Sequence, residues 1–197
     1  DLSDVCIENA KKDGFDCIFT LGGDGTQKSA RDFYKKGLNV IGVPKTIDND
    51  VACTDITFGY NTAVSVATDA LDRLHTTAET HNRILVLEVM GRYAGWIALE
   101  SAISGGADIA LIPEIPYDIN KAAEAIKKRQ ARGKNFSIVV VSEGAISKDG
   151  TAETHTAEGL DAGAGISVKF GGIGNKIAKQ LQELTGLESR CTVLGYM

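Results

Sequence analysis

The sequence predicts an α/β protein built from mainly parallel sheets with helices on both faces, and three observations carry that expectation. Short apolar runs alternate with stretches of helical spacing along most of the chain. Runs such as residues 84–89 (ILVLEV) are almost continuously apolar, as strands buried on both faces require. The loops that follow these runs are rich in glycine or charge, and open α/β sheets bind their ligands beyond the carboxyl ends of the strands.

Leu2, Val5, Cys6 and Ala10 recur at helical spacing before Gly14, and residues 15–21 then read as a buried strand. Thr26 is expected to cap a helix that ends at Gly37, after which residues 38–43 form the next strand. Residues 57–77 give a long helical pattern. Further strands are expected at 84–89, 108–112, 137–141 and 191–194, with helices near 93–104, 118–132 and 174–185 between them. Segment 145–172, rich in Gly, Thr and Ala without a sustained period, is expected to be an irregular and functional excursion. The polar stretch with Gly59 that precedes the long helix suggests a change of domain near residues 58–61.

With 197 residues and 43% hydrophobic content, the chain can form one large core or two modest domains. A net charge of -5 offers no general attraction for polyanions, so neither nucleic acid nor an anionic membrane is an expected partner. A phosphorylated substrate would need a local basic site. Cys6, Cys17, Cys53 and Cys191 make no CxxC pair, and buried free thiols in a reducing cytosol are expected, with a cytoplasmic location. His75, His81 and His155 lack metal-ligand spacing, and neither a membrane-length apolar run nor a signal peptide is present. Both ends read as cut: the chain opens at Asp1 and closes on an apolar run at Met197.

The unusual residues fall after the strands, which implies a single crowded site. Gly22-Gly23-Asp24-Gly25-Thr26 follows the first; its glycines let backbone approach a phosphate, and a helix opening at Thr26 aims N–H groups at it. Asp24 would repel that phosphate unless a cation such as Mg²⁺ lay between them. A tight turn with a capping Asp explains the same residues. Lys45-Thr46-Ile47-Asp48-Asn49-Asp50 places two carboxylates beside a lysine and a hydroxyl, so that one carboxylate could hold a metal and the other accept a proton from an attacking alcohol. A solvated Asx-turn loop is the alternative. Arg92 lies in a glycine-flanked loop and Arg83 just before a strand; each suits phosphate or a plain surface position. Glu114 follows the fourth strand and Tyr196 the sixth. Glu143, ending the fifth, fits either sugar hydroxyls or solvent.

GGDGT, PKTIDND, RILVLEVMGRYAGWIALESAISGGADIALIPE, VVSEG and TVLGY together resemble the 6-phosphofructokinase family over essentially the whole chain. GGDGT alone also occurs in NAD kinase and lipid kinase families. The resemblance implies a two-domain subunit, with residues 1–59 in the phosphoryl-donor domain and 60–197 in the sugar-phosphate domain, incomplete at its C-terminus. It implies phosphoryl transfer from ATP to the 1-hydroxyl of fructose 6-phosphate. By the same likeness Asp48 is the base, Thr46 contacts the transferring phosphoryl group, Arg92 stabilises developing charge, and Asp24 and Asp50 handle Mg²⁺. Gly22, Gly23, Gly25 and Thr26 line the donor phosphates. Met90, Gly91 and Glu143 hold the sugar, while Arg83 and Arg190 bind its 6-phosphate, typically in a neighbouring subunit, so a homodimer or homotetramer is implied.

Departures from the family pattern are also visible. The family's N-terminal strand with its glycine-rich donor loop and its QRGG run after TVLGY are absent, so the chain is expected to be inactive alone. Tyr196 stands where many members have a histidine, and Ser29 where a glycine is common. Gly25 resembles the ATP-using members, whereas Lys45 occurs in pyrophosphate enzymes; ATP is the expected donor. A pyrophosphate-dependent enzyme, another GGDGT kinase and a binding-only fragment are the competing readings.

Overall fold

The computed structural model describes residues 2–150, 154–156, 168–170 and 172–195. They fall into two compact units, Asp1–Tyr60 and Asn61–Met197.

The first unit runs α1 (Ser3–Lys12), β1 (Ile18–Gly22), α2 (Asp24–Lys35), β2 (Val40–Thr46) and β3 (Phe58–Gly59), with the strands parallel in the order β1-β2-β3. Ile18 pairs with Val40 and Gly22 with Pro44, so the loops after β1 and β2 leave the same end of the sheet. Ile7 and Ala10 of α1 join Leu38 in a small core, against which Ile18, Phe33 and Val40 pack. Strand side chains alternate between faces. Phe19, Leu21 and Ile41 therefore point the other way, where they remain 61%, 63% and 47% exposed. The expected buried strand at residues 15–21 is corrected accordingly: it begins at Ile18, and the described residues cover only one of its faces. The four cysteines are free, but Cys6 and Cys53 are exposed rather than buried. In α1 the core stripe passes through Ile7 and Ala10, which turns Leu2, Val5 and Cys6 outward.

The second unit holds most of α3 (Tyr60–His81), then β4 (Ile84–Val89), α4 (Trp96–Ser104), β5 (Ile109–Leu111), α5 (Ile119–Ala131), β6 (Ser137–Ser142), β7 (Thr154–Thr156), β8 (Val168–Phe170), α6 (Ile173–Thr185) and β9 (Ser189–Val193). Its main sheet is parallel in the order β5-β6-β4-β9. β4 and β6 are buried at every position. Ile84, Val86, Val139 and Val141 pack with Ile126, Ile173, Ile177 and Leu181 of α5 and α6. Leu85, Leu87, Ile138 and Val140 alternate to the opposite face and are equally buried, and α4 packs on β6. This unit thus has helices on both faces, and the continuous apolar runs follow from that double coverage.

Three boundaries move for local reasons. The strand expected at 38–43 continues through Pro44, Lys45 and Thr46, because β3 pairs with its end. The helix expected from residue 57 starts at Tyr60, since Phe58 and Gly59 form that short third strand. The next helix starts at Trp96 rather than 93, after a turn that follows β4. Asp118, at the expected start of α5, is its N-cap and accepts from the Asn120 amide at 3.1 Å. Within segment 145–172, β7 and β8 pair antiparallel; most of the excursion lies outside the described residues.

One carboxylate interrupts β4. Glu88 is 2% exposed, and its two oxygens accept from the Gly172 and Gly174 amides, at 2.9 and 2.8 Å, where α6 begins. The unpaired N–H groups and partial positive charge of a helix N-terminus compensate such an anion. A Cβ at Gly174 would come within 2.9 Å of Glu88 Oε2 and 2.6 Å of Cys191 Sγ. Burial, reinforced by the Glu88 charge, pushes the Cys191 thiol up to about 11. Glu88→Ala leaves two amide donors without their acceptor and is expected to cost about 3 kcal/mol of stability. Urea unfolding of wild type and variant measures it; coincident midpoints would contradict this account.

Candidate functional site

In the first unit the glycine loop and the carboxylate loop lie side by side. Gly23 is the N-cap of α2, with extended backbone, and the Gln27 amide bonds to its carbonyl at 3.0 Å. The helix therefore opens at Asp24, and the expected cap at Thr26 is corrected: Thr26 lies inside the first turn. The N–H groups of Asp24, Gly25 and Thr26 are left without intrahelical acceptors, the arrangement that binds phosphate oxygens. Gly22 is buried against the Thr26 side chain and leaves no room for a Cβ, while a Cβ at Gly23 would sit 3.3 Å from Thr46 Cβ. At Gly25, by contrast, a Cβ would meet nothing. Gln27, which the motif reading missed, donates to the carbonyls of Gly22 at 3.0 Å and Val43 at 2.9 Å. It ties the end of β1 to β2, and its only sequence signal was a polar residue in the first helical turn.

Beyond β2, Thr46 Oγ1 accepts from the Asp48 amide at 3.3 Å. Burial, and then the neighbouring Asp50 charge, raise the Asp48 carboxyl above the ordinary carboxylate range. Asp24 forms an ion pair with Lys28 at 2.5 Å, both side chains being largely exposed. Lys45 is exposed, and the Ser29 hydroxyl donates to the Gly25 carbonyl at 3.2 Å. Among the described residues no three His, Cys, Asp or Glu side chains gather as a metal cage. Mg²⁺ usually takes one or two carboxylates and completes its shell with water and phosphate oxygens, so the carboxylates of Asp24 and Asp50 are of the kind that ion takes.

The second unit braces Met90-Gly91-Arg92 against the end of β6. The Glu143 amide donates to the Val89 carbonyl at 2.9 Å, and the Gly144 amide and Ser142 hydroxyl both donate to the Gly91 carbonyl, at 3.1 and 2.5 Å. Gly91 has φ +133, and a Cβ there would lie 2.5 Å from Ser142 Oγ. A Cβ at Gly144 would overlap the Arg92 backbone. The Arg92 guanidinium lies 5.0 Å from the centre of the Tyr93 ring. Glu114 accepts from the Gly95 amide at 2.8 Å, at the start of α4. Tyr196 lies outside the described residues.

Arg83 and Arg190 do not join that loop. Arg83 precedes β4, whose far end carries the loop, Arg190 pairs with Leu85 near the start of the same strand, and the six residues of β4 span about 20 Å. Within this chain they form a separate cluster. Glu188, missed in the sequence, bridges them: one oxygen accepts from Arg83 Nε at 2.8 Å and the other from Arg190 at 2.7 and 2.9 Å. These bonds, the Arg83 one first, hold the Glu188 carboxyl below the usual range.

The family model described as Phosphofructokinase matches residues 2–197. The chain belongs to the phosphofructokinase family. It is 59% identical over 198 residues to the "ATP-dependent 6-phosphofructokinase 2" of Clostridium perfringens, covering all of this chain and 53% of that protein. It is 53% identical to the "ATP-dependent 6-phosphofructokinase" of Chloroflexus aggregans, covering 93% of this chain and 49% of the relative. The structure of the T-state phosphofructokinase of Pichia pastoris matches 98% of this chain and 22% of its own, at a TM-score of 0.80 and 29% identity. The chain thus spans about half the length of the curated relatives it matches. The α/β class and the family resemblance read from the motifs agree with these findings.

The brace on Arg92 gives a paired test. Gly144→Ala forces a methyl into the Arg92 backbone and is expected to cost about 1–3 kcal/mol. Gly25→Ala, with open space in a helical turn, is expected to gain about 0.4–1 kcal/mol. Unfolding midpoints of both variants check the contrast, and equal shifts would refute it.

Proposed function

We propose that the protein transfers the terminal phosphoryl group of ATP to the 1-hydroxyl of fructose 6-phosphate, giving fructose 1,6-bisphosphate and ADP, as a cytoplasmic glycolytic enzyme. The observation that carries this reading is the close approach of Gly23 to Thr46, where a Cβ on Gly23 would lie 3.3 Å from Thr46 Cβ; it sets the helix start beside the loop holding two carboxylates. Family membership and two relatives named as ATP-dependent enzymes support it.

In this reading residues 1–59 serve the donor and residues 60–197 the sugar phosphate. The first-turn amides, with Gly22, Gly23, Gly25 and Thr26, receive the donor phosphates, and Asp24 and Asp50 hold Mg²⁺. When bound, that ion neutralises charge between phosphate oxygens. Asp48 takes the proton of the 1-hydroxyl as its oxygen attacks the terminal phosphorus and the bond to the bridging oxygen of ADP breaks. A raised carboxyl makes a better base than an ordinary one. Thr46 hydrogen-bonds the moving phosphoryl group, and Arg92 stabilises its charge. Met90, Gly91 and Glu143 hold the sugar. Arg83 and Arg190, remote from that loop in their own unit, bind the 6-phosphate in a neighbouring subunit of a homo-oligomer.

Lys45 favours pyrophosphate as an alternative donor, and Gly25 decides between the two. The fold accepts a side chain at position 25. Gly25→Asp in the full-length enzyme is therefore expected to damage ATP use far more than pyrophosphate use. A wild-type enzyme running on pyrophosphate and ignoring ATP would overturn the assignment.

Asp48 ties function to stability. Asp48→Asn cannot take the proton and is expected to lower kcat by about 10²–10⁴-fold, with little change in KM. Because folding raises its carboxyl pKa, the carboxyl's favourable contribution is full below the unfolded value and is lost as pH rises through the folded one. The same variant should therefore melt higher than wild type at neutral pH, the gap closing below the ordinary carboxylate range. Near-normal kcat would remove Asp48 from the mechanism, and a gap that widened in acid would contradict the burial argument.

A further inference from the structure

Asn49 stands between the proposed base and the proposed metal ligand, and its backbone is unusual. Its φ is +54, the left-handed region that side chains other than glycine rarely adopt. Its side-chain oxygen accepts from the Thr57 amide, eight residues on, at 3.0 Å. Thr57 is 2% exposed and directly precedes β3, whose Phe58 and Gly59 pair with Lys45 and Thr46. The loop is thus closed twice, by the β2–β3 pairing at its base and by Asn49 across its span. A second left-handed residue, Cys53 at φ +61, lies inside the closed segment.

The demands on position 49 are specific. Asn tolerates left-handed backbone better than most residues, and its amide oxygen is an uncharged acceptor. Glycine meets the first demand alone. Aspartate meets both but adds a third negative charge between Asp48 and Asp50, and alanine meets neither. We propose that Asn49 is a positioning residue, whose left-handed turn and bond to Thr57 fix the relative placement of the Asp48 and Asp50 carboxylates for phosphoryl transfer. The proposal rests on the functional reading above, which gives those carboxylates their separate roles.

The test compares Asn49→Ala and Asn49→Gly with wild type in the full-length enzyme, measuring kcat, KM for fructose 6-phosphate and the Mg²⁺ concentration for half-maximal rate, alongside thermal melting. Misplacement by about 1 Å costs on the order of 10²-fold. Asn49→Ala should lose about that factor in kcat and need several-fold more Mg²⁺, with KM for the sugar phosphate nearly unchanged. Asn49→Gly, free to keep the turn, should recover about tenfold of the loss. A merely structural residue would lower the melting temperature and leave kcat and Mg²⁺ dependence of the folded enzyme alone. That result in either variant overturns the proposal, and so do equal kcat losses in the two. Should the alanine variant fail to fold, the glycine variant decides alone: unaltered kcat and Mg²⁺ dependence sink the idea, and a loss of kcat with raised Mg²⁺ demand sustains it. A wild-type enzyme without turnover on fructose 6-phosphate overturns the functional reading together with this proposal, whereas an active wild type with unaffected variants overturns this proposal alone.

Discussion

Glu88 sets the constraint on which the second unit depends. A carboxylate in a fully buried strand must be neutralised by donors that reach it, and here the start of α6 supplies two amides. The pairing fixes α6 over β4, beside Cys191 of β9, and leaves space for no side chain at Gly174. β4 is then held from both faces and along both edges, by β6 and by β9. Two residues after Glu88 the chain leaves the sheet as the Met90-Gly91-Arg92 loop. A loop leaving so rigid a strand inherits its position, so the placement of Arg92 follows from that of β4.

Close approach of backbone is the second theme, and it works the same way in both units. Gly22 and Gly23 let β1 run into α2 against Thr26 and Thr46; Gly91 and Gly144 let the amides after β6 reach the carbonyls at the end of β4. At each of these positions a side chain would occupy space that a neighbouring side chain or backbone already fills. Gly25 differs. A Cβ there would meet nothing, so packing within the described residues does not require its small size.

Much of this was legible in the sequence, for identifiable reasons. β4 and α6 were read almost to the residue because double burial yields an unbroken apolar run and amphipathic spacing yields a helix. The glycine and carboxylate loops were readable because charge and glycine after a buried strand have few structural uses. What escaped depends on distant pairing. Whether residues 45 and 46 are loop or strand is decided by β3, a two-residue element without a pattern of its own. The helix start at Asp24 is set by the extended backbone of Gly23, and composition favoured Thr26. Gln27, Ser142, Asn49 and Glu188 act through bonds to backbone or to residues far along the chain, and no periodicity marks them.

The two clusters of charge illustrate opposite solutions to one problem. At the start of β9, two arginines share Glu188, so like charges are held together by an anion of the protein's own. In the carboxylate loop burial, and after it the neighbouring Asp50 charge, raise the Asp48 carboxyl. Asp24 finds relief in Lys28, a flexible exposed partner that a stronger cation could displace at little expense. A protein optimised only for stability would place a lysine or arginine beside Asp48 as well. A carboxyl raised by burial and by a like charge is more receptive to a proton, a property that folding itself does not need.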